Sequence, residues 1–266
     1  MVTNLLNLLI SSACIFTVSL VFSMFGRGGG EFYIPIMLSF LPIDYYTAAG
    51  ISLFIIALQG FSMLTIYHGK HKLVDWKLAF LLGSLIGFSS FLGGYMSYRM
   101  PDWVLKLSFS IFLLTSSYYL YKGKFLKPKG GKVGIWRRNI GNISYNVNLL
   151  HIVPPIVAVA FVAGMVGISG GGLIVPICIL LGGIPTRIAM GTNTFLVLLS
   201  SIMSFIGHTI RGGFDVSLGL IYGFAVIIGS QIGSRLHIMI SEDVLRKLFS
   251  IVLLVAAAWM IIKMFV

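Results

Sequence analysis

Acidic side chains are scarce in this chain, with seven Asp and Glu against nineteen Lys and Arg. All charged residues together make up 10% of it, where soluble domains carry roughly a quarter. An ordinary water-facing surface cannot be built from so few charges. Cysteine is limited to Cys14 and Cys178. Each stands alone in an apolar run, without the spacing of a metal or redox pair, and is read as a small buried hydrophobe. His68, His71, His208 and His237 fall at no ligand spacing supported by acidic or cysteine partners, so they are read as interfacial and no metal is expected. The same scarcity supplies no convergent acid, base and nucleophile set. That argues against an enzyme, including a membrane-embedded one acting on lipid-linked substrates, and no cofactor is expected.

Apolar residues are abundant. They form 58% of the chain, and the mean hydropathy is +0.99, which places the protein in a membrane. The run from Leu5 to Phe25 has no basic flank and no small-residue cleavage site, and is read as a retained transmembrane helix. The net charge of +12 sits in short loops, with its largest cluster at Lys122, Lys124, Lys127, Lys129, Lys132, Arg137 and Arg138. In a polytopic protein such a cluster is a topology signal, with contact to anionic headgroups as a secondary effect. Nucleic acid is not an expected partner.

The chain repeats itself. Asp75, Leu78, Gly83, Ser90 and Gly93 match Asp215, Leu218, Gly223, Ser230 and Gly233 at a constant offset of 140 residues. Leu105, Phe109, Ser110, Ile111, Leu113 and Leu114 match Leu245, Phe249, Ser250, Ile251, Leu253 and Leu254 in the same way. Ala48 and Gly50 match Ala189 and Gly191 at 141. Matches in every segment indicate duplication of a whole bundle: a first repeat over 1–121, a basic linker over 122–150 and a second repeat over 151–266. Each half holds five apolar segments, at 4–25, 31–41, 45–67, 75–98 and 103–121, then 151–168, 172–182, 187–210, 215–236 and 243–265. The second segment of each half, about eleven residues long, is too short to cross ~30 Å of hydrocarbon at 1.5 Å per residue. The fold expected is an all-α transmembrane bundle with about 8–10 membrane segments, the range spanning full crossings and re-entrant hairpins.

Five segments per half turn the second half upside down relative to the first. With the 122–150 loop in the cytoplasm, fifteen of the nineteen Lys and Arg fall on that side, a clear positive-inside bias. Inverted repeats with both termini outside are therefore expected.

Each short segment opens on a glycine cluster and contains a proline: Gly26-Arg27-Gly28-Gly29-Gly30-Glu31 leading to Pro35, and Gly167-Ile168-Ser169-Gly170-Gly171-Gly172 leading to Pro176. Unwound backbone survives in a bilayer only where protein or a wet cavity surrounds it. A helix start carries about half a positive charge and up to four free N–H donors, which suits an anion. The candidate binding residues are Arg27, Gly28, Gly29, Gly30, Ser169, Gly170, Gly171 and Gly172, with Ser52, Thr192 and Asn193 on the neighbouring segments. Close helix packing is the alternative role for the glycines, and interhelical bonding for the polar residues. Gln59, Ser200, Ser230 and Gln231 are weaker candidates. The prolines are expected to prevent a regular continuation of the short helices. Arg27 and Glu31, spaced i, i+4, either pair with each other or serve as an oxyanion clamp and a coupling proton site. Asp44, Asp75, Asp102, Asp215, Glu242 and Asp243 all fall at expected helix ends. Tyr118, Tyr119, Tyr121 and Trp136 suit an interfacial aromatic belt.

The paired glycine and proline motifs, Ala189 to Asn193, and Ile228-Gly229-Ser230-Gln231-Ile232-Gly233-Ser234-Arg235-Leu236 together resemble the TauE/SafE family of membrane proteins associated with export of sulfite and organosulfonates. The resemblance covers nearly the whole chain. It implies a small sulfur oxyanion or organosulfonate as substrate, such as sulfite, sulfoacetate or taurine, moved outward, while the paired breaks in two inverted halves point to alternating access around a midplane site. A thiosulfate or sulfonate importer, or a channel-like facilitator, is the alternative. The motif departs from its own symmetry in two places: Glu31 stands opposite Gly172, and Ser169 opposite Gly28.

Overall fold

The computed structural model describes residues 5–70, 72–122, 134–140, 143–210 and 212–236, together with 251, 254, 255, 257, 258 and 261. Nine helices lie within these ranges: α1 (Leu5–Ser23), α2 (Gly30–Phe40), α3 (Tyr45–Gly69), α4 (Trp76–Ser97), α5 (Asp102–Lys122), α6 (Leu149–Val166), α7 (Gly171–Leu180), α8 (Thr186–Thr209) and α9 (Val216–Leu236). The fifth segment of the second half falls mostly outside the described residues, as do His71, His237, Glu242, Asp243 and four lysines of the linker cluster.

Among the described residues, α1, α3, α4, α6, α8 and α9 are long and apolar enough to cross a membrane. Exposure follows the same logic. Phe80, Phe88 and Phe224 are 61–71% exposed, while Ser11, Ser19, Ser52, Gln59 and Ser230 are fully buried. Large apolar groups outward and hydroxyls inward is the arrangement of a bundle whose solvent is lipid. Cys178 is buried as expected, but Cys14 lies half-exposed along α1, on a helix whose outer face is apolar.

Helix starts follow from aspartates. Asp44 accepts from the Thr47 amide at 2.9 Å, Asp75 from Leu78 at 3.2 Å and Asp215 from Leu218 at 3.0 Å. Each side chain satisfies an amide that the first turn leaves orphaned. α2 and α7, with 11 and 10 residues, reach about 16 Å at 1.5 Å per residue, half of a crossing. Contrary to expectation, both helices continue past Pro35 and Pro176. A membrane helix absorbs the lost amide when neighbouring groups satisfy the freed carbonyl.

The two halves interlock reciprocally. α1 packs on α9 as α6 packs on α4, and α3 packs on α8. Gly93 of α4 lies so close to the Phe161 carbonyl of α6 that a side chain there would overlap it, and Gly233 of α9 meets the Leu20 carbonyl of α1 in the same way. Gly50 abuts the Gly213 carbonyl, and Gly191, its repeat partner, abuts that of Leu73. Hydroxyls stitch the same seams: Ser19 to the Val226 carbonyl at 2.8 Å and Ser90 to that of Ala160 at 3.2 Å.

The basic linker contains a feature absent from the sequence reading. Strands β1 (Ile135–Ile140) and β2 (Ile143–Asn148) pair antiparallel, Trp136 opposite Val147 and Arg138 opposite Tyr145. Tyr145 and Val147 are buried against the second apolar cluster of the bundle, beside Ile152 and Ile156.

Candidate functional site

The two glycine breaks are built alike. α1 ends as the Arg27 amide bonds back to the Phe22 carbonyl (3.3 Å), and α6 as Ile168 bonds back to Ala163 (2.9 Å). Gly26 and Gly167, at φ +64° and +84°, supply the left-handed turn that a helix end needs and that side chains resist. Gly26 is also crowded, since a Cβ there would lie 2.5 Å from the Met190 carbonyl. The chain then restarts as a helix. Phe32 and Tyr33 bond to the Gly29 carbonyl, and Leu173 and Ile174 to that of Gly170, at 2.9–3.1 Å.

These starts lie side by side at the centre of the bundle. A Cβ on Gly28 would sit 3.0 Å from Ser169 Oγ, and one on Gly30 3.1 Å from Ile168. Residues 26–31 and 167–172 are all buried, so the region is closed to solvent in this conformation. Among the polar candidates, Ser52 and Asn193 each bond to the backbone of the opposite half. The Asn193 amide nitrogen donates to the Gly26 carbonyl at 2.8 Å, and the Ser52 hydroxyl to that of Gly167 at 2.9 Å. Each half thus closes the broken helix of the other. Thr192 points its hydroxyl elsewhere, accepting the Asp75 amide at 3.0 Å.

Gln59 is more central than its sequence signal indicated. Its Oε1 accepts from the Gly29 amide (3.1 Å) and the Tyr33 hydroxyl (2.8 Å), while Nε2 donates to Ser23 Oγ (2.9 Å) and the Ser19 carbonyl (3.3 Å). Ser230 and Gln231 bond instead to Ser62 on α3. Several buried polar atoms are left over. Ser169 Oγ, Asn193 Oδ1 and both Glu31 carboxylate oxygens have no hydrogen-bond partner among the described residues. Arg27 and Glu31 interact electrostatically. A Cβ on Gly171 would lie 3.1 Å from Asn193 Nδ2, 3.3 Å from Val197 and 3.6 Å from Ser169 Oγ, so these groups converge there.

Outside the glycine region, His208 departs from expectation. It is buried, stacked on Tyr46 with ring centroids 3.9 Å apart, its Nε2 2.9 Å from the Tyr46 carbonyl. His68 is exposed and accepts from Trp76 at 3.2 Å. Asp75 is held by the hairpin. Arg138 Nε donates to it at 2.8 Å and the Tyr145 hydroxyl at 2.6 Å. Burial alone would raise its carboxyl, but these donors and the Leu78 amide outweigh burial and hold it below the usual range. Trp136 lies under the Arg138 guanidinium, 4.4 Å from it. A groove of about 370 Å³ between α5, α6 and α7 is lined mainly by aliphatic side chains such as Ile111, Val159 and Leu173, with Ser108 and Thr115 as its polar residues.

The family model described as "Sulfite exporter TauE/SafE" matches residues 11–260. The chain belongs to the TauE/SafE family. Its similarity to curated members is distributed along its length. It is 28% identical to Probable membrane transporter protein YunE of Bacillus subtilis, with 85% of each chain aligned. It is also 28% identical to a probable membrane transporter protein of Methanocaldococcus jannaschii, over 93% of this chain and 92% of that one. With Sulfite exporter TauE/SafE family protein 6 of Arabidopsis thaliana it shares 23% identity over 85% and 73%. No solved structure gives a significant match. The TauE/SafE assignment and the apolar helices make this an integral, multi-pass membrane protein of a transporter family.

Proposed function

We propose that the chain exports a small sulfur oxyanion or organosulfonate, such as sulfite, sulfoacetate or taurine, through a site at the paired half-helix starts. One observation carries the reading: the unpartnered Ser169 hydroxyl and the side-chain amide of Asn193, whose Oδ1 is also unpartnered, lie beside Gly171 where two broken helices meet. A buried polar group left without a partner costs about 1–3 kcal/mol, and a hydrogen-bonding ligand removes that cost. Sulfite and sulfonate oxygens accept bonds from backbone amides and hydroxyls without a fully buried counter-charge. The name of the Arabidopsis relative supports the sulfur class.

The closed site requires that the halves part. Reciprocal seams between 1–121 and 151–266 give two equivalent faces, so one can open as the other closes, as in alternating access by inverted repeats. In this reading the 122–150 segment is cytoplasmic and both termini are outside. Arg27 steadies the anion, and Glu31, the carboxylate within a glycine motif, takes up a coupling proton. The test is a thermal-shift screen of detergent-purified protein with sulfite, thiosulfate, sulfate, taurine and sulfoacetate. Ligand at 100 times its Kd stabilises by about 2.7 kcal/mol, so sulfite or a sulfonate is expected to raise the midpoint. A flat response to all five would refute the proposal.

A further inference from the structure

We infer that the bound oxyanion takes its amide and hydroxyl donors from one half only, at the start of α7, because the amide of Gly29, the N-cap of α2, is already occupied from within the protein. The inference rests on the transport reading above. Positions 59 and 200 are repeat partners, 141 residues apart on α3 and α8, and carry side chains of different length. Gln59 reaches the start of α2, and its carboxamide oxygen takes the Gly29 amide and the Tyr33 hydroxyl. That oxygen stands where an anion's oxygen would stand at a helix N-terminus.

Ser200 is too short for the equivalent role. Its hydroxyl turns to the carbonyls of Val197 (3.1 Å) and Ser169 (3.3 Å). Among the described residues, no group accepts from the amides of Gly170, Gly171 or Gly172. Ser169 Oγ, in a side chain 2% exposed, is likewise without a partner, and the first half has only Gly28 in its place.

Charge does not reverse this: Glu31, in the first turn of α2, offsets the Arg27 guanidinium with which it interacts, while α7 has Gly172 there and no acidic group in its first turn. The vacant set beside α7 is three amides and one hydroxyl. Asn193 Oδ1, also buried and unpartnered, adds one acceptor on the amide next to Gly171. Four donors and one acceptor fit a small oxyanion that keeps an O–H or N–H of its own, as hydrogensulfite and taurine do.

Calorimetric titration of sulfite into the full-length, detergent-purified protein tests this. Wild type is expected to bind one sulfite per chain. Ser169→Ala is expected to weaken binding about tenfold through loss of one hydrogen bond to a charged ligand, without lowering the ligand-free melting temperature. Gln59→Met is expected to keep the affinity within about threefold, since its bonds are structural. If that variant fails to fold, Tyr33→Phe loosens the same cap by one bond and carries the same expectation. Two sites per chain, unchanged affinity in Ser169→Ala, or lost binding in a folded Gln59→Met or Tyr33→Phe would overturn the inference alone. A wild type that binds neither sulfite nor any other oxyanion of the screen would overturn the transport reading and this inference with it.

Discussion

Asn193→Ala is expected to loosen the joint between α1 and α2 in the absence of any ligand. The Asn193 amide donates at 2.8 Å to the Gly26 carbonyl, at a left-handed turn. Abandoning a buried carbonyl costs about 1–3 kcal/mol. Interhelical bonds in membrane proteins lie at the low end, averaging about 0.6 and reaching about 1.7 kcal/mol. With a fully enclosed partner and good geometry, we expect a loss of about 1.5 kcal/mol, roughly tenfold in the unfolding equilibrium. Ser52→Ala removes the equivalent 2.9 Å bond to Gly167 and should cost about the same. Asn193→Ser, which installs the first half's own solution, should recover part of the loss. Reversible unfolding in mixed micelles gives the numbers. An Asn193→Ala protein as stable as wild type would refute the cross-capping argument.

Two further outcomes follow from the seams and the hairpin. Gly93→Ala and Gly233→Ala should each destabilise by about 1–3 kcal/mol through overpacking, since each new methyl would overlap a facing carbonyl; a neutral pair would deny that α4–α6 and α1–α9 are equivalent close seams. Arg138→Ala should cost about 1–2 kcal/mol, the range for a partly solvated charged hydrogen bond. Because Asp75 titrates lower folded than unfolded, that difference is fully present above the unfolded value near 4. It fades as pH falls through the folded value. Melting curves of wild type and variant between neutral and acidic pH should converge only at the acid end, and a gap that persists there would contradict the pairing.

What was legible in the sequence was local. Glycine clusters and aspartate caps act within a turn or two of themselves, so the half-helices and most helix starts could be read directly. The reciprocal contacts of Gly50 with Gly213 and Gly191 with Leu73 follow from matches visible as constant offsets. The hairpin was hidden because its basic residues look like a topology signal. Its two-residue alternation, with Ile135, Arg137 and Asn139 exposed and Trp136, Arg138 and Ile140 half-buried, was present but masked by charge. Asp75 read only as a helix cap, since nothing local announces Arg138 sixty-three residues away. His208 was misjudged, and Gln59 read only as a weaker candidate, for the same reason. Their roles depend on which distant backbone groups the packing brings to them.

The most direct measurement is sulfite efflux from proteoliposomes carrying Gly171→Ala. A methyl there meets side-chain atoms at 3.1–3.6 Å and no backbone within that range, so the fold should tolerate it while the space between Ser169 and Asn193 is filled. The account predicts a correctly inserted protein of near-normal melting temperature whose saturable efflux falls at least about tenfold below wild type, the loss of roughly one charged hydrogen bond. Wild-type efflux from that variant would contradict the claim that the paired half-helix starts hold the solute.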